Sequence, residues 1–262
     1  MQDGGKRGRA LAGARVLVTR PEHQAAGLCA GIENAGGRAI RFPSIAIQPI
    51  ADPGPAARHL GALGAGDLAV FVSANAVRHG LAHLRRPLPA GVQLAAVGRA
   101  TAEALEGAGL PVAHTPEHGF DSEALLAMDP LQQVAGRRVV IVRGQGGREL
   151  LAETLRRRGA TVDYAEVYRR ALPAADVPAL LHRWKAGGVD VVVVTSADGL
   201  RNLDALLGDA GRPLLLSTPL VVIGERMLQM ARAMGVSAPV LVSDASDAAL
   251  VDTLIRWRQT PK

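Results

Sequence analysis

Polar residues that could carry chemistry follow directly after short apolar runs along the chain. Hydroxyl side chains, an amide, glycines and arginines recur where a parallel strand would end and a helix would begin. Open parallel sheets bind ligands beyond the carboxyl ends of their strands, and helix N-termini offer N–H groups to anionic oxygens. The same residue types also serve as structural helix caps, so both interpretations stay open. The candidate binding residues are Arg20, Ser73, Asn75, Gly98, Thr101, Ser122, Arg143, Gly144, Ser196 and Gly224.

The usual catalytic sets are missing from the sequence. His79 and His83 are four residues apart but lack the acidic neighbour of a zinc protease, and we expect them on a solvated helix face. The glycine-rich segment 143–148 lacks the Lys-Ser/Thr pair of a nucleotide-binding loop, and no Gly-x-Ser-x-Gly elbow is present. Cys29 is the only cysteine, which excludes a multi-cysteine metal site. The pattern favours a site that binds an acid-rich ligand with little acid–base machinery.

The second half of the chain repeats the sequence pattern of the first half. The sequence VLVTR at residues 16–20 returns as VVIVR at residues 139–143, an offset of 123, and the offset becomes 126 between Gly98 and Gly224. This period is far longer than a solenoid repeat of about 20–50 residues. The repeat therefore indicates a duplicated half-protein and two similar lobes with a cleft between them.

Short runs rich in Val, Leu and Ile alternate with segments of helical period, which is typical of α/β layers. The runs show little apolar–polar alternation, as expected for parallel strands that are covered on both faces. We therefore predict an α/β fold with two similar lobes, each with a parallel sheet flanked by helices.

Two extended, proline-punctuated segments break this alternation. Residues 42–49 and 166–173 occupy corresponding places in the two halves and lack helical period. We interpret them as a two-stranded crossover linker between the lobes. This interpretation predicts a discontinuous first lobe of residues 1–45 and 174–262, and a second lobe of residues 50–165.

Composition and charge limit the classes of function. The formal net charge is +6 and comes mostly from dispersed arginines, which favours an anionic partner. Aromatic residues make up only 3% of the chain, which argues against base stacking and hence against nucleic acid as partner. The basic start is not followed by an apolar signal segment, and no run of about 18 apolar residues exists. We expect a cytoplasmic protein without a membrane span and with a short disordered start.

Taken in order, the motifs resemble those of the uroporphyrinogen-III synthase family. Each stretch alone is unspecific, whereas the ordered set covers nearly the whole chain at spacings that unrelated α/β proteins would not reproduce. The matching stretches are VLVTRPE at 16–22, the segment 28–43, FVSANAV at 71–77, VGRATA at 97–102, DSEAL at 121–125, VRG at 142–144, RELL at 148–151, VYRR at 167–170, VTS at 194–196 and VIGER at 222–226.

The resemblance implies two α/β lobes joined by a two-stranded linker, and a lyase reaction. Hydroxymethylbilane is a linear tetrapyrrole with acetate and propionate groups on every ring. It loses water from its terminal hydroxymethyl group and closes to uroporphyrinogen III with ring D inverted, on the way to haem, sirohaem or corrinoids. The resemblance also implies a monomer that needs no metal or organic cofactor. Loss of water from an electron-rich pyrrole is intrinsically feasible, so a site that folds the bilane does much of the work.

The resemblance also assigns roles to individual residues. Tyr168, in the Tyr-Arg-Arg segment, is the weak acid that assists departure of the hydroxyl group. The alternative is that the Tyr168 ring packs against the linker and has only a structural role. Ser73 and Thr101 contribute hydroxyls, while Arg20 and Arg143 either bind propionates or brace the lobes. The backbone that holds carboxylates lies around Gly98, Ser122, Ser196 and Gly224.

Tyr164, the only other tyrosine, fits a core position on a strand. Family members often carry a threonine soon after the second turn glycine, whereas Glu225, Arg226 and Met227 follow Gly224 here. We therefore do not expect a protein hydroxyl at that turn to contact the substrate.

Two other classes of protein stay open. A non-catalytic two-lobe binding protein of the periplasmic type also has duplicated α/β lobes and crossover strands, although the expected lack of a signal segment argues against it. A regulatory or nucleic-acid-binding α/β protein is disfavoured by the few aromatics and the dispersed arginines. A synthase would convert the bilane without additives, whereas a sensor would bind a small anion unchanged.

Overall fold

The computed structural model describes residues 10–119 and 121–260; the predicted disordered start, at residues 1–9, lies outside these ranges. The chain forms two compact units, one from residues 1–46 and 171–262 and the other from residues 47–170. Each unit contains one five-stranded sheet flanked by helices, so the predicted α/β class is confirmed. Within the described ranges, no helix is both long enough and apolar enough to cross a bilayer.

The elements follow one another in the alternating order that the sequence predicts. Short 3-10 turns at Glu22–Gln24 and Leu81–His83 add to the helices. In chain order the strands and helices are β1 (Arg15–Val18), α1 (Ala26–Asn34), β2 (Arg38–Arg41), β3 (Ala46–Pro49), α2 (Gly54–Gly61), β4 (Leu68–Phe71), α3 (Ala74–Gly80), β5 (Gln93–Ala96), α4 (Arg99–Glu106), α5 (Ser122–Ala127), α6 (Asp129–Gln132), β6 (Arg138–Gly144), α7 (Leu150–Arg157), β7 (Thr161–Ala171), α8 (Val177–Lys185), β8 (Val191–Val194), α9 (Ala197–Ser217), β9 (Leu220–Ile223), α10 (Gly224–Ala233), β10 (Val240–Ser243) and α11 (Asp247–Gln259).

The first unit is built on a parallel sheet with the strand order β10-β9-β8-β1-β2. Successive side chains of a strand point to opposite faces. Leu17 and Val192 pack into the apolar cluster that includes α8, α9 and α10, whereas Val16 and Val193 pack into the cluster that includes α1 and α11. Burial on both faces explains why β8 consists of four valines, all fully buried.

The second unit is built on a sheet with the order β3-β7-β6-β4-β5, in which β7, β6, β4 and β5 are parallel. Phe71 and Val142 face the apolar cluster of α2, α3 and α4. Val70 and Ile141 face the cluster of α5, α6 and α7. The helices cover both faces, so the open part of the sheet is the edge where the parallel strands end.

The two extended segments both contain strand residues. Residues 166–171 continue the strand that begins at Thr161, so the strand that carries Tyr164 and part of the predicted linker segment form one strand of 11 residues. Strand β3 begins at Ala46 and is the neighbour of β7 in the sheet. The two segments therefore lie side by side over these strands, while the lobe boundaries drawn from the sequence stay a prediction.

Candidate active site

Five candidate residues lie along the carboxyl edge of the second unit's sheet. Ser73 follows β4, Gly98 follows β5, and Gly144 is the last residue of β6. Because β6, β4 and β5 are parallel neighbours in that order, their carboxyl ends share one edge. Asn75 and Thr101 lie in the first turns of the helices that follow, and both are buried.

Tyr168 is buried at this edge, with 3% of its surface exposed. Its hydroxyl oxygen is 3.3 Å from Ser73 Oγ, and either group can donate the hydrogen bond. Ser73 Oγ also accepts the Ala76 N–H at 3.1 Å, so it caps α3 and has a fixed position. Gly144 pairs with Tyr168 between β6 and β7, and the Gln145 N–H donates to the Tyr168 carbonyl at 2.7 Å. The tyrosine is therefore held at both its backbone and its hydroxyl.

His79 lies beside Tyr168, which the sequence did not predict. Its ring centroid is 5.8 Å from that of Tyr168, with the planes tilted by 34°. His79 is half-buried because Ala76 and Val77 pack α3 into the apolar cluster that also contains Tyr168. The expected solvated helix face is thus wrong for this histidine, whose imidazole is a further polar group near the tyrosine.

A pocket of about 310 Å³ opens beside Tyr168 in the second unit. The charged side chains that line it, among the described residues, are the guanidinium groups of Arg143, Arg148 and Arg170, with no carboxylate. Arg143 and Arg148 form ion pairs with Glu149 and Glu123, which do not line the pocket. A concave surface whose own lining charges are all positive still attracts anions. The pocket is therefore suited to an anionic ligand. Of the candidate residues, its lining includes Ser122, Arg143, Gly144 and Tyr168.

Arg143 is held in place by groups of the second unit. Its side chain is only 8% exposed, and its Nη1 donates to Glu149 Oε1 at 3.1 Å. Its Nε lies 3.8 Å from Glu166 Oε1, and its guanidinium carbon lies 4.4 Å from the centroid of the Tyr164 ring. A planar guanidinium can stack on an aromatic face while it donates hydrogen bonds in its own plane.

Tyr164 and Glu149 form a hydrogen-bonded pair next to Arg143. The Tyr164 hydroxyl donates to the Glu149 carboxylate, and this bond, followed by the one from Arg143, holds the pKa of Glu149 below its usual value. Burial raises the pKa of Tyr164, and the bond to Glu149 adds to this rise. Tyr164 packs against the core as expected, but it is half-buried and also lines the pocket, which the sequence analysis missed.

The first unit carries three candidate residues at the carboxyl edge of its own sheet. Arg20 follows β1, Ser196 follows β8 and Gly224 follows β9, and these strands are parallel neighbours. Ser196 Oγ accepts the Gly199 N–H at 3.0 Å and caps α9. Gly224 has a φ of +71°, a backbone conformation that favours glycine, and it begins α10.

Arg20 is already engaged in bonds within the first unit. Its Nη1 forms an ion pair with Asp247, and its Nη2 donates to the Ala245 carbonyl at 3.1 Å. Its side chain is 13% exposed. Glu225 is exposed and accepts a hydrogen bond at 2.5 Å from Gln229 in its own helix. Arg20 thus ties the end of β1 to the start of α11.

The two units, each with polar groups along the carboxyl edge of a five-stranded sheet, define a class of α/β protein whose ligands bind at strand ends. The family model described as uroporphyrinogen-III synthase HemD matches residues 26–252. The chain belongs to the uroporphyrinogen-III synthase family.

Individual relatives agree with this family. The uroporphyrinogen-III synthase of Escherichia coli K12 is 35% identical over 243 residues, which covers 91% of this chain and 99% of the relative. That of Salmonella typhimurium is 35% identical over 252 residues, with the same two coverages. Among solved structures, a mutant uroporphyrinogen III synthase from Thermus thermophilus has a TM-score of 0.60 at 22% identity, covering 93% of this chain and 98% of that one. The Helicobacter pylori 26695 structure has a TM-score of 0.57 at 14% identity, covering 93% and 99%. These two structures share the fold of this chain.

Proposed function

We propose that this chain is a uroporphyrinogen-III synthase, a lyase that dehydrates and cyclises hydroxymethylbilane with inversion of ring D. The observation that carries the proposal is the pairing of a buried tyrosine hydroxyl with a pocket whose charged lining consists of arginines. Tyr168 lies 3.3 Å from Ser73 Oγ, and Arg143, Arg148 and Arg170 line the adjoining pocket. A weak acid beside an anion-binding surface is what a polycarboxylate substrate with a poor leaving group needs.

Tyr168 assists departure of the hydroxyl group in this proposal. The carbon–oxygen bond of the terminal hydroxymethyl group breaks, the oxygen takes the proton of the phenol and leaves as water, and the pyrrole delocalises the positive charge. The substituted α-carbon of ring D bonds to the resulting methylene carbon, and the original bond from that ring carbon to the bridge between rings C and D breaks, which moves the positive charge to the bridge carbon and ring C. The free α-carbon of ring D then bonds to this bridge carbon and loses its proton to the phenolate, so ring D is inverted and the acid is restored. Ser73 keeps the phenol oriented, since its hydroxyl is itself fixed as the cap of α3.

The remaining candidates bind the substrate's carboxylates and fold the bilane. In the second unit we assign this role to Arg143, to the hydroxyls of Ser122 and Thr101, and to the backbone at Gly98 and Gly144, with Asn75 beside them. In the first unit we assign it to the backbone around Ser196 and Gly224. Arg20 is the weakest of these proposed ligands, because Asp247 and the Ala245 carbonyl already occupy its donors. Holding the bilane in one conformation decides which carbon of ring D attacks.

We further propose that the enzyme works as a cytoplasmic monomer, without a metal or organic cofactor and without nucleic acid as a partner. The support is the dispersed basic charge, the low aromatic content and the resemblance to the family. A substrate that ionises with the help of a hydrogen bond does not need a Lewis acid or a redox group.

The test is product isomer analysis. The purified protein receives fresh hydroxymethylbilane in buffer with a chelator, and the oxidised products are separated into type I and type III uroporphyrins. The proposal predicts a large excess of type III over a protein-free control. Only type I at the spontaneous rate, from a protein whose folding is verified by circular dichroism, would contradict it and favour a binding protein.

A further inference from the structure

Three side chains in the second unit form a closed set of contacts next to the pocket. Arg143 Nη1 donates to Glu149 Oε1 at 3.1 Å, the Tyr164 hydroxyl donates to Glu149 Oε2, and the Arg143 guanidinium carbon stacks 4.4 Å from the Tyr164 ring centroid. Both Glu149 oxygens are therefore used, one by each partner. The stack and the two hydrogen bonds together fix the plane and the rotation of the guanidinium.

The donors of Arg143 are unevenly used. Nε donates to the Gly144 carbonyl at 3.3 Å and lies 3.8 Å from Glu166, while Nη1 is taken by Glu149. Among residues 10–119 and 121–260, the side-chain hydrogen bonds of Arg143 are made by Nε and Nη1 and not by Nη2. An added Cβ at Gly147, which also lines the pocket, would stand 3.8 Å from Nη2. Nη2 is thus the open edge of an otherwise fixed guanidinium that lines the pocket.

We propose that Glu149 and Tyr164 are positioning residues that hold Arg143 so that its Nη2 receives a carboxylate of the substrate in the pocket of the second unit. This inference rests on the proposed function, since the ligand is an acetate or propionate group of the bilane. A guanidinium already fixed in one rotamer loses less conformational entropy when it binds the carboxylate than a mobile one does.

The alternative is that these contacts form an ion pair that only stabilises the fold. The two interpretations differ in kinetics, because a contact made equally in the ground state and the transition state changes KM and leaves kcat alone. A purely structural set would change the stability of the protein and leave KM unchanged. Steady-state formation of type III product therefore separates them.

The variants are graded by what each one removes. Arg143→Gln removes the ligand itself, and we expect KM for hydroxymethylbilane to rise about tenfold with kcat within about twofold, the size of one charge-assisted hydrogen bond. Tyr164→Phe keeps the ring under the guanidinium and removes only the hydroxyl. Glu149→Gln keeps an acceptor and removes the charge. Both should raise KM about threefold, which is a fraction of the effect of losing the direct contact.

Glu153→Gln is the matched control. Glu153 is an exposed acid one turn further along α7, so its substitution should leave both KM and kcat unchanged.

The outcomes distinguish the two proposals. Wild-type protein that makes no type III product would overturn the proposed function and this inference with it. Wild-type turnover together with an unchanged KM in Arg143→Gln would overturn this inference alone. If Arg143→Gln does not fold, Tyr164→Phe decides, because it leaves the guanidinium and its stacking in place: an unchanged KM at wild-type stability contradicts the positioning role.

Discussion

The backbone of Gly144 lies directly against the ring of Tyr168. A Cβ at position 144 would stand 2.6 Å from both Cε2 and Cζ of the tyrosine and 3.0 Å from its hydroxyl oxygen. These distances leave no room for any side chain at 144. Glycine is therefore required here by the close approach of the tyrosine. The Tyr168 ring packs against the backbone of Gly144 in β6, and its hydroxyl group contacts Ser73.

Gly144→Ala should displace Tyr168 and lower activity. The added methyl group overlaps a buried ring that is fixed by Ser73, so we expect the free energy of unfolding to fall by about 1–3 kcal/mol. The rate of type III formation should fall as well, because the hydroxyl loses its position. Urea unfolding and the isomer assay measure the two effects. Gly61→Ala is the control, since position 61 has no atom within 4 Å of the added methyl group. Wild-type values for Gly144→Ala would show that the close approach does not matter.

Ser73→Ala should reduce both stability and rate, for two different reasons. The serine caps α3 through the Ala76 N–H, and loss of such a cap costs about 1 kcal/mol. It also holds the Tyr168 hydroxyl at 3.3 Å, so the rate should fall by more than the stability loss explains. Ser246→Ala removes a cap of the same kind from α11 and serves as the control for the first effect. Equal rates in the two variants would argue against a role for Ser73 in holding the tyrosine.

The titration of Tyr164 reports directly on its bond to Glu149. The chain contains only two tyrosines, so in Tyr168→Phe the phenolate absorbance comes from Tyr164 alone. Burial, together with the Glu149 carboxylate, raises the pKa of Tyr164 above its unperturbed value of about 10. Adding Glu149→Gln should lower that pKa, because it removes the negative charge beside the phenolate. A pKa that does not change would show that the bond is absent in solution.

The raised pKa of Tyr164 also makes the free energy of unfolding depend on pH. A folded-state pKa above the unfolded one means that the folded chain binds the proton more tightly. The stabilisation that protonated Tyr164 gives the folded state is therefore complete below about pH 10. It is lost as the pH rises through the raised pKa of Tyr164. Tyr164→Phe removes the titrating group, so its unfolding free energy should fall less steeply above about pH 10 than that of the parent. Parallel curves for the two proteins would contradict this.

The strands were predictable from the sequence where they are covered on both faces. Val191–Val194 and Leu220–Ile223 coincide with the continuous apolar runs VVVV and LVVI, because parallel strands buried on two sides consist of apolar residues. The partly buried edge strand Val240–Ser243 contains the apolar run Val-Leu-Val, yet the sequence analysis did not identify it as a strand. The length of β7 was also missed, because residues 166–171 mix charged and apolar side chains and do not form a continuous apolar run.

The site was only partly predictable for a different reason. Residues at strand ends, such as Ser73 and Gly144, follow from the position of the strands. The contacts of Tyr164 and His79 do not, because they depend on which elements pack together and which way each side chain points. The one sequence signal for Tyr164 was its place on the strand that follows the one carrying Arg143, and that signal is equally typical of a core residue.

The most direct test of the central claim is the chemical step in Tyr168→Phe. Single-turnover measurement with excess enzyme follows the loss of hydroxymethylbilane and the isomer formed, while substrate binding and folding are checked separately. We predict a chemical step slower by about a hundredfold, at the low end of general acid catalysis, with type III still the product and binding retained. A wild-type rate in this variant would contradict the assignment of Tyr168 as the group that assists departure of the hydroxyl.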